Sequence, residues 1–423
     1  MQQKKKIIVI GAGSRGTCYT SKSLEIPDYY QIVGVAEPIA DRRDNIKNIH
    51  GVADEMCFES WEPLLALPKM ADIAIIATMD RDHVAPALAA IEKGYDLLLE
   101  KPAGATPEEC RRIQRAAEEK GVFVLVCHVL RYTNFFKALK KIIDSGEIGK
   151  VMNIQHFEPV GLIHQSHSFV RGNWRNSNES SPMILQKSCH DMDILAWLIG
   201  KKCKKVHSFG TLSYFTKENA PEGSTERCTD GCPHLDTCPF NAIKIYFDDK
   251  ENDWFRTTCT KLAHPTDDDV MKSITTTDYG KCVFKCPNNV VDHQVVNLEF
   301  EDDIFASFTM SAFSKGTRTI KIGGTKGVIE ASMGDPIIRI HHFLGKEDRE
   351  VDLNSASADN ITGGHGGGDV GILYALKDLI EGVPNESVCD IGESCDNHMI
   401  AFAAEESRLT GKVIDMEEFS KRF

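Results

Sequence analysis

The feature that most limits the folds open to this chain is a short apolar run, Ile7-Ile8-Val9-Ile10, which ends in Gly11-x-Gly13-x-x-Gly16 and leads into a helical stretch. A buried strand followed by that glycine spacing permits a tight turn, close approach of backbone to a pyrophosphate, and packing of helix on strand. Gly11, Gly13, Ser14, Arg15 and Gly16 are therefore expected to form a phosphate-binding turn, with the positive end of the helix facing the phosphates.

The context supports that reading. From Lys6 to about His128, short β-branched runs at 7–10, 31–36, 73–77, 95–99 and 122–126 alternate with helical segments at 16–24, 38–49, 82–93 and 107–120. Such alternation predicts an α/β Rossmann domain, a doubly wound parallel sheet, over residues 1–128. Glu37 ends the second strand, where a carboxylate can accept hydrogen bonds from the adenosine ribose hydroxyls. That favours NAD over NADP, although Arg42 and Arg43 follow closely and could accommodate a 2′-phosphate. Ala77, Thr78 and His83 close a later strand within reach of the nicotinamide half of such a cofactor, and His83 reads equally well as a residue that packs the helix it opens. Glu100-Lys101-Pro102 ends the run Leu97-Leu98-Leu99. At the carboxyl edge of a parallel sheet, strand-end residues point into the ligand crevice, and the ring of Pro102 fixes the chain's exit. Lys101 is a surface lysine if read alone. Beside a dinucleotide it is placed for proton chemistry.

After His128 the rhythm changes. Longer strand-like runs at 151–158, 206–214, 290–300, 304–313, 318–323 and 327–331 predict an α+β domain with a large open, mainly antiparallel sheet over residues 129–423. A helix at 192–199 carries His190-Asp191-Met192-Asp193 at its amino end. Residues 215–289 are polar, cysteine-bearing and poorly periodic, and read as an irregular excursion. A glycine-rich stretch with His365 and Asp369 reads as a lid over the site or as a connection, and helices are expected at 370–381 and 393–408.

The glycine fingerprint, Ala77-Thr78 with His83, Glu100-Lys101-Pro102, the turn Gly146-Glu147-Ile148-Gly149 and the His190 to Asp193 cluster occur in that order. In this the chain resembles the Gfo/Idh/MocA oxidoreductases, the relatives of glucose-fructose oxidoreductase and inositol 2-dehydrogenase. The resemblance implies a Rossmann domain followed by an open sheet whose face forms the substrate site and often the interface of a homo-oligomer. It also implies NAD(P)-dependent oxidation or reduction of a hydroxyl-bearing carbon in a sugar, sugar derivative or inositol. By position, Lys101 matches the lysine that orients or protonates the reacting oxygen, His190 the acid/base histidine, and Asp193 the acidic residue one turn beyond. Gln186 stands where many members have an aspartate. Lys187-Ser188-Cys189 replaces a small, glycine-containing stretch, and Lys187 would add a second cation beside the substrate.

The chemistry makes the same demand without the family. Oxidising a secondary alcohol sends a hydride to the nicotinamide and a proton to a base, and histidine begins nearest the working pH. An ammonium at Lys101 would favour developing alkoxide character. Arg131, together with His167, Arg171 and Trp174 in the polar and aromatic run 167–175, completes the expected substrate contacts. Two alternatives use the same residues: a glycoside-cleaving enzyme that oxidises the sugar transiently to permit elimination, and a non-catalytic dinucleotide sensor.

A formal net charge of −13 disfavours a nucleic-acid partner. The absence of a membrane-length apolar run or a secretory signal gives the expectation of a cytoplasmic enzyme without membrane contact. In that compartment the 14 cysteines should be mostly reduced. Cys228-x3-Cys232-x5-Cys238, with Cys286 or else Cys282 of the later Cys282-x3-Cys286 pair as a fourth ligand, would suit a structural zinc, and free thiols suit the same pattern.

Overall fold

The computed structural model describes residues 3–354 and 364–423. Six strands, β1 (Lys5–Ile10), β2 (Tyr30–Ala36), β3 (Cys57–Phe58), β4 (Ile73–Ile76), β5 (Asp96–Leu99) and β6 (Val124–Val126), form one parallel sheet in the order β3-β2-β1-β4-β5-β6. The side chains of Ile7 to Ile10, of β4 and of Leu97 to Leu99 are all buried. Helices on both faces require that, and continuous apolar runs supply it. Helices α1 (Ser14–Ser23), α2 (Ala40–His50), α3 (Trp61–Ala66), α4 (Val84–Glu92) and α5 (Pro107–Lys120) make the crossovers. Thr106 and Glu109 form a reciprocal capping box at the start of α5, and Gly121 ends it with a positive φ of 68°. The strand β3 and helix α3 had no counterpart in the sequence reading, because two strand residues and six helical ones are too short to show a period.

Beyond β6, α6 (Asn134–Asp144) precedes a second sheet built from β7 (Val151–Pro159), β8 (Cys203–Thr211), β9 (His293–Phe300), β10 (Ile304–Ser311), β11 (Thr319–Gly324), β12 (Gly327–Ser332), β13 (Ile337–His342), β14 (Arg349–Asp352) and β15 (Ile414–Asp415). Its order is β14-β13-β12-β11-β7-β10-β9-β8-β15, and only the pair β7 and β10 is parallel. Two helices, α9 (Cys189–Ile199) and α13 (Ile391–Thr410), contribute to the core on one face. Phe209, Val295 and Phe305 stand exposed on the adjacent strands β8, β9 and β10.

Between β8 and β9 the excursion folds around aromatic rings rather than along a periodic stripe. It contains α10 (Asp253–Thr260) and α11 (Asp267–Thr276), and its core joins Tyr246, Phe255, Cys259, Val270, Ile274 and Tyr279. Ring-on-ring contacts need no helical spacing, which is why the segment looked irregular in sequence. Ahead of α9, α7 (Leu162–His164) continues as a π-helix over Gln165–Arg171, and α8 (Met183–Gln186) follows. Late in the chain, α12 (Gly368–Glu381) returns to the first domain: Ile372, Leu373 and Leu376 share a core with Ile7, Val9 and Tyr19. The chain ends with α14 (Met416–Ser420).

Candidate active site

The turn after β1 is built as the glycines require. Gly11 has φ +91°, and a Cβ there would stand 2.6 Å from the Ala77 carbonyl oxygen; a Cβ on Gly16 would stand 2.0 Å from the Gly11 oxygen. Those two glycines pack the turn against β4 and α1. Gly13 is open instead: its nearest neighbour would be the Arg42 guanidinium at 3.5 Å. No side chain caps the first turn of α1, so Ser14 begins a helix end suited to a phosphate. The residues present therefore fit a dinucleotide.

Glu37 is buried and accepts hydrogen bonds from the backbone N–H groups of Ala12 (2.7 Å) and Ile39 (3.0 Å). It braces the glycine turn from the end of β2. Arg43 donates to the Glu37 carbonyl at 2.6 Å, leaving Arg42 nearer the turn. Arg15 points away from this surface: it pairs with Glu100 (2.9 Å) and Asp369 (2.7 Å) and also donates to the Tyr19 hydroxyl. Arg15 and Glu100, expected at the cofactor, thus join α1, β5 and α12 through one ionic group. Burial alone would raise the Glu100 carboxyl, but Arg15 and then Lys101 hold it below its usual value. Asp369 is a buried member of this group rather than a lid residue, and the side chain of His365 lies outside the described residues. His83 Nδ1 lies 2.8 Å from the Thr78 hydroxyl, and burial lowers its pKa. That pairing fixes the ring at the end of β4.

Lys101 leaves β5 in the crevice through a cis bond to Pro102, and its Nζ donates to the Gln186 carbonyl at 2.6 Å. The Gln186 side chain holds the preceding loop instead, donating to the Trp174 carbonyl at 2.9 Å and accepting from the Ser180 hydroxyl. His190 occupies the first turn of α9, 8% exposed, with its ring 6.1 Å from that of His128. Lys101 is thereby tied to the last residue of α8, four residues before His190 in α9.

The neighbouring aspartates have separate partners. Asp191 accepts from Arg318 Nε at 2.7 Å and lies 2.8 Å from His156 Nε2. Arg318 also pairs with Glu158 (2.7 Å), and Glu158 with Lys187 (3.4 Å). Burial would raise the Asp191 carboxyl; Arg318, then His156, outweigh it and hold it well below the carboxylate range. Burial lowers the Lys187 ammonium, Glu158 opposes that, and Arg318 and Lys101 add to it. His156, Glu158 and Arg318 escaped the sequence reading. Their signal was legible in β7, where His156 and Glu158 continue the inward alternation begun by Ile154.

Several expected substrate contacts face elsewhere. Arg131 is fully buried and holds Asp193 through two 2.7 Å hydrogen bonds; Asp193 also accepts from Asn397 at 2.8 Å. This pair belongs to the interior, because an arginine fork matches a carboxylate and leaves little of either for a ligand. Asp193, His128 and Cys389 also bring ligand atoms within 4.8 Å of one another, but Arg131 already neutralises the carboxylate. His167 is sealed against Tyr246, Trp254, Phe255 and Tyr279, and burial lowers its pKa to about 3. Arg171 is equally buried and donates to the carbonyls of Lys281 and Phe240. Density of polar and aromatic letters in 167–175 marked a packing junction rather than a sugar surface. Trp174 fastens the loop: its indole N–H donates to Asp80 at 3.0 Å, and Asp80 also accepts from Ser181. The structure places Cys228, Cys232 and Cys238 around one cavity with Cys282, and leaves Cys286 outside its lining.

A glycine turn that fits a dinucleotide, at the end of β1 in a doubly wound parallel sheet, defines the class as a Rossmann-fold nucleotide-binding protein. Comparison with known families makes it specific: residues 5–128 match the NAD-binding Rossmann domain of the Gfo/Idh/MocA oxidoreductase family and residues 140–386 match its C-terminal α/β domain, so the chain belongs to that family. The Bacillus subtilis protein YteT is 25% identical over 385 residues, 88% of each chain. An inositol 2-dehydrogenase of Klebsiella pneumoniae is 27% identical over 203 residues, 48% of this chain and 56% of its own. Among solved structures, levoglucosan dehydrogenase in complex with NADH and levoglucosan superposes with a TM-score of 0.71, covering 98% of this chain and 100% of that one at 16% identity. Among the described residues no helix is long and apolar enough to cross a membrane.

Proposed function

We propose that this protein is an NAD-dependent dehydrogenase acting on a secondary hydroxyl of a sugar, sugar derivative or inositol. The observation that carries this is the position of Lys101: it lies two residues beyond β5, on the carboxyl side of the Rossmann sheet, and is anchored by the carbonyl of Gln186, just before the helix that bears His190. NAD, when bound, exchanges a hydride at its nicotinamide ring. Lys101 holds the reacting oxygen and steadies its negative charge, and His190 takes or returns the hydroxyl proton. Thr78 and His83 border the nicotinamide half, and Lys187 lies on the substrate side. Glu37 favours NAD by opposing a 2′-phosphate, and comparing binding of NADH with that of NADPH tests this against the nearby Arg42.

The family membership, and the dehydrogenase and sugar names among its relatives, support the reading. A panel of sugars, inositols, uronic acids and glycosides, followed by nicotinamide absorbance, should identify a substrate whose oxidation accumulates NADH. Release of an aglycone without NADH accumulation would replace dehydrogenation with redox-assisted cleavage. Binding of NADH with no turnover on any compound would leave a sensor. We further propose a homo-oligomer that covers the exposed face of the second sheet, where Phe305 and Val413 border a groove of about 350 Å³. Light scattering on the full chain and on Phe305→Glu tests it, with a shift to monomer expected in the variant.

A further inference from the structure

Four cysteines in the excursion and the buried Arg171, at the end of the π-helix, form a group that the proposed hydride chemistry does not use. Cys228, Cys232, Cys238 and Cys282 line one cavity of about 30 Å³ together with Arg171, Phe240 and Phe284. Cys228 is buried and the other three are half-buried. The backbone fixes the approach of the distant fourth member: Arg227 and Lys281 form a bridge, and Cys282 N–H donates to the Glu226 carbonyl at 2.9 Å.

One of the four sulfurs accepts a backbone hydrogen bond. Ala242 N–H donates to Cys228 Sγ at 3.4 Å. N–H to sulfur bonds of this kind orient and tune metal-bound thiolates. Cys286 differs: its thiol donates to the Cys282 carbonyl at 3.4 Å.

Arg171 adds an argument from charge. Its guanidinium donates to Lys281 and Phe240 carbonyls at 2.8 Å and to Cys228 Sγ at 3.6 Å, while Nη1 has no hydrogen-bond partner. Among the described residues no carboxylate pairs with it, and a buried cation without an anion is strongly unfavourable. Four thiolates around a divalent centre leave two negative charges in excess beside that guanidinium.

We propose that Cys228, Cys232, Cys238 and Cys282 hold a thiophilic metal centre, with Arg171 as its buried counter-charge. The centre ties the excursion to the π-helix that Arg171 ends, and so to the Trp174 loop beside the active site. Two occupants share this chemistry. A single zinc ion would draw the sulfurs to about 3.8 Å from one another, given zinc–sulfur bonds of about 2.3 Å in a tetrahedron. Among the described residues the only three ligand atoms within 4.8 Å of one another are those of His128, Asp193 and Cys389, so these sulfurs stand wider. An iron–sulfur cluster spaces its thiolates farther apart, and the cavity of about 30 Å³ would have to open to hold one.

The test is elemental analysis of the full chain, purified without nickel and both with and without exclusion of air. Stoichiometric zinc, or iron with matching acid-labile sulfide and visible absorption, supports the proposal and tells the two occupants apart. Cys282→Ser should lose the metal and Cys286→Ser should keep it. Arg171→Met should weaken retention against a chelator by about 10- to 100-fold. Should Cys282→Ser fail to fold, X-ray absorption on the unmodified protein should show a sulfur-only coordination shell. Metal-free protein under both preparations with all its thiols titrating would overturn the proposal, as would a metal lost in Cys286→Ser and kept in Cys282→Ser.

Discussion

Asp191 and Asp193 are two residues apart on one helix, fully buried and both held ionised, yet they serve different parts of the molecule. At about 100° per residue they point to nearly opposite sides of α9. Asp193 closes on Arg131, Asn397 and the neighbourhood of His128, and Arg131 continues to Glu393 on α13. Asp191 opens through Arg318 and Glu158 to Lys187, whose side chain is 20% exposed beside the active site. One acidic motif in sequence is thus a structural ion pair on one side and a support for the reaction crevice on the other. Buried ion pairs of the first kind reveal their energy when one partner is removed, those of the second kind when substrate is present.

The largest effect should come from the crevice side. Lys101→Ala is expected to lower kcat by about 10²- to 10⁴-fold with an unchanged melting temperature. A loss smaller than tenfold would remove Lys101 from the reacting oxygen. On the interior side, Asp193→Ala leaves Arg131 buried with only the partly exposed Glu393, and should cost about 3–5 kcal/mol in urea denaturation. Asp191→Asn should cost less, about 1–3 kcal/mol, because Arg318 keeps Glu158. Equal destabilisation by the two changes would erase the distinction between them.

How far this division was legible in the sequence follows from the range of the interactions. The parallel strands, α5 with its Thr106 cap, the glycine turn and Lys101 were readable because each rests on local spacing or on the apolar period of a segment. Asp193 and Arg131 were read as substrate contacts because both are polar residues near a motif, and only the approach of Asn397 on α13 shows the site to be closed. His167 and Arg171 failed for the same reason: the rings and carbonyls that bury them come from far along the chain. The fourth cavity-lining cysteine was ambiguous, since Cys282 and Cys286 differ in hydrogen bonding rather than in spacing.

Acid should find the interior before the crevice. Burial lowers His128, on the Asp193 side, and His167, in the excursion, to about 3. Both are neutral when folded and take up protons on unfolding below about pH 6.5, so their contribution is complete above that value and falls as pH drops toward 3. Together they should cost about 2 kcal/mol between pH 6.5 and 5.5, with His83 and His398 acting in the same direction. His128→Gln should remove about half of that difference in denaturation at the two pH values. An unaltered pH dependence would mean that His128 is not held neutral by the fold.

Lys187→Met should give the smallest change and locate the outer limit of the open network. Glu158 retains Arg318 when Lys187 is removed, so stability should move by less than about 1 kcal/mol. If the ammonium reaches substrate, KM should rise by about 3- to 10-fold, the equivalent of about 1 kcal/mol, while kcat changes little because the interaction is the same before and during reaction. A fall in kcat with KM unchanged would instead assign Lys187 to the reacting centre. A large loss of stability with both parameters intact would move it to the structural side, with Asp193, and shift the boundary between the two networks to Glu158.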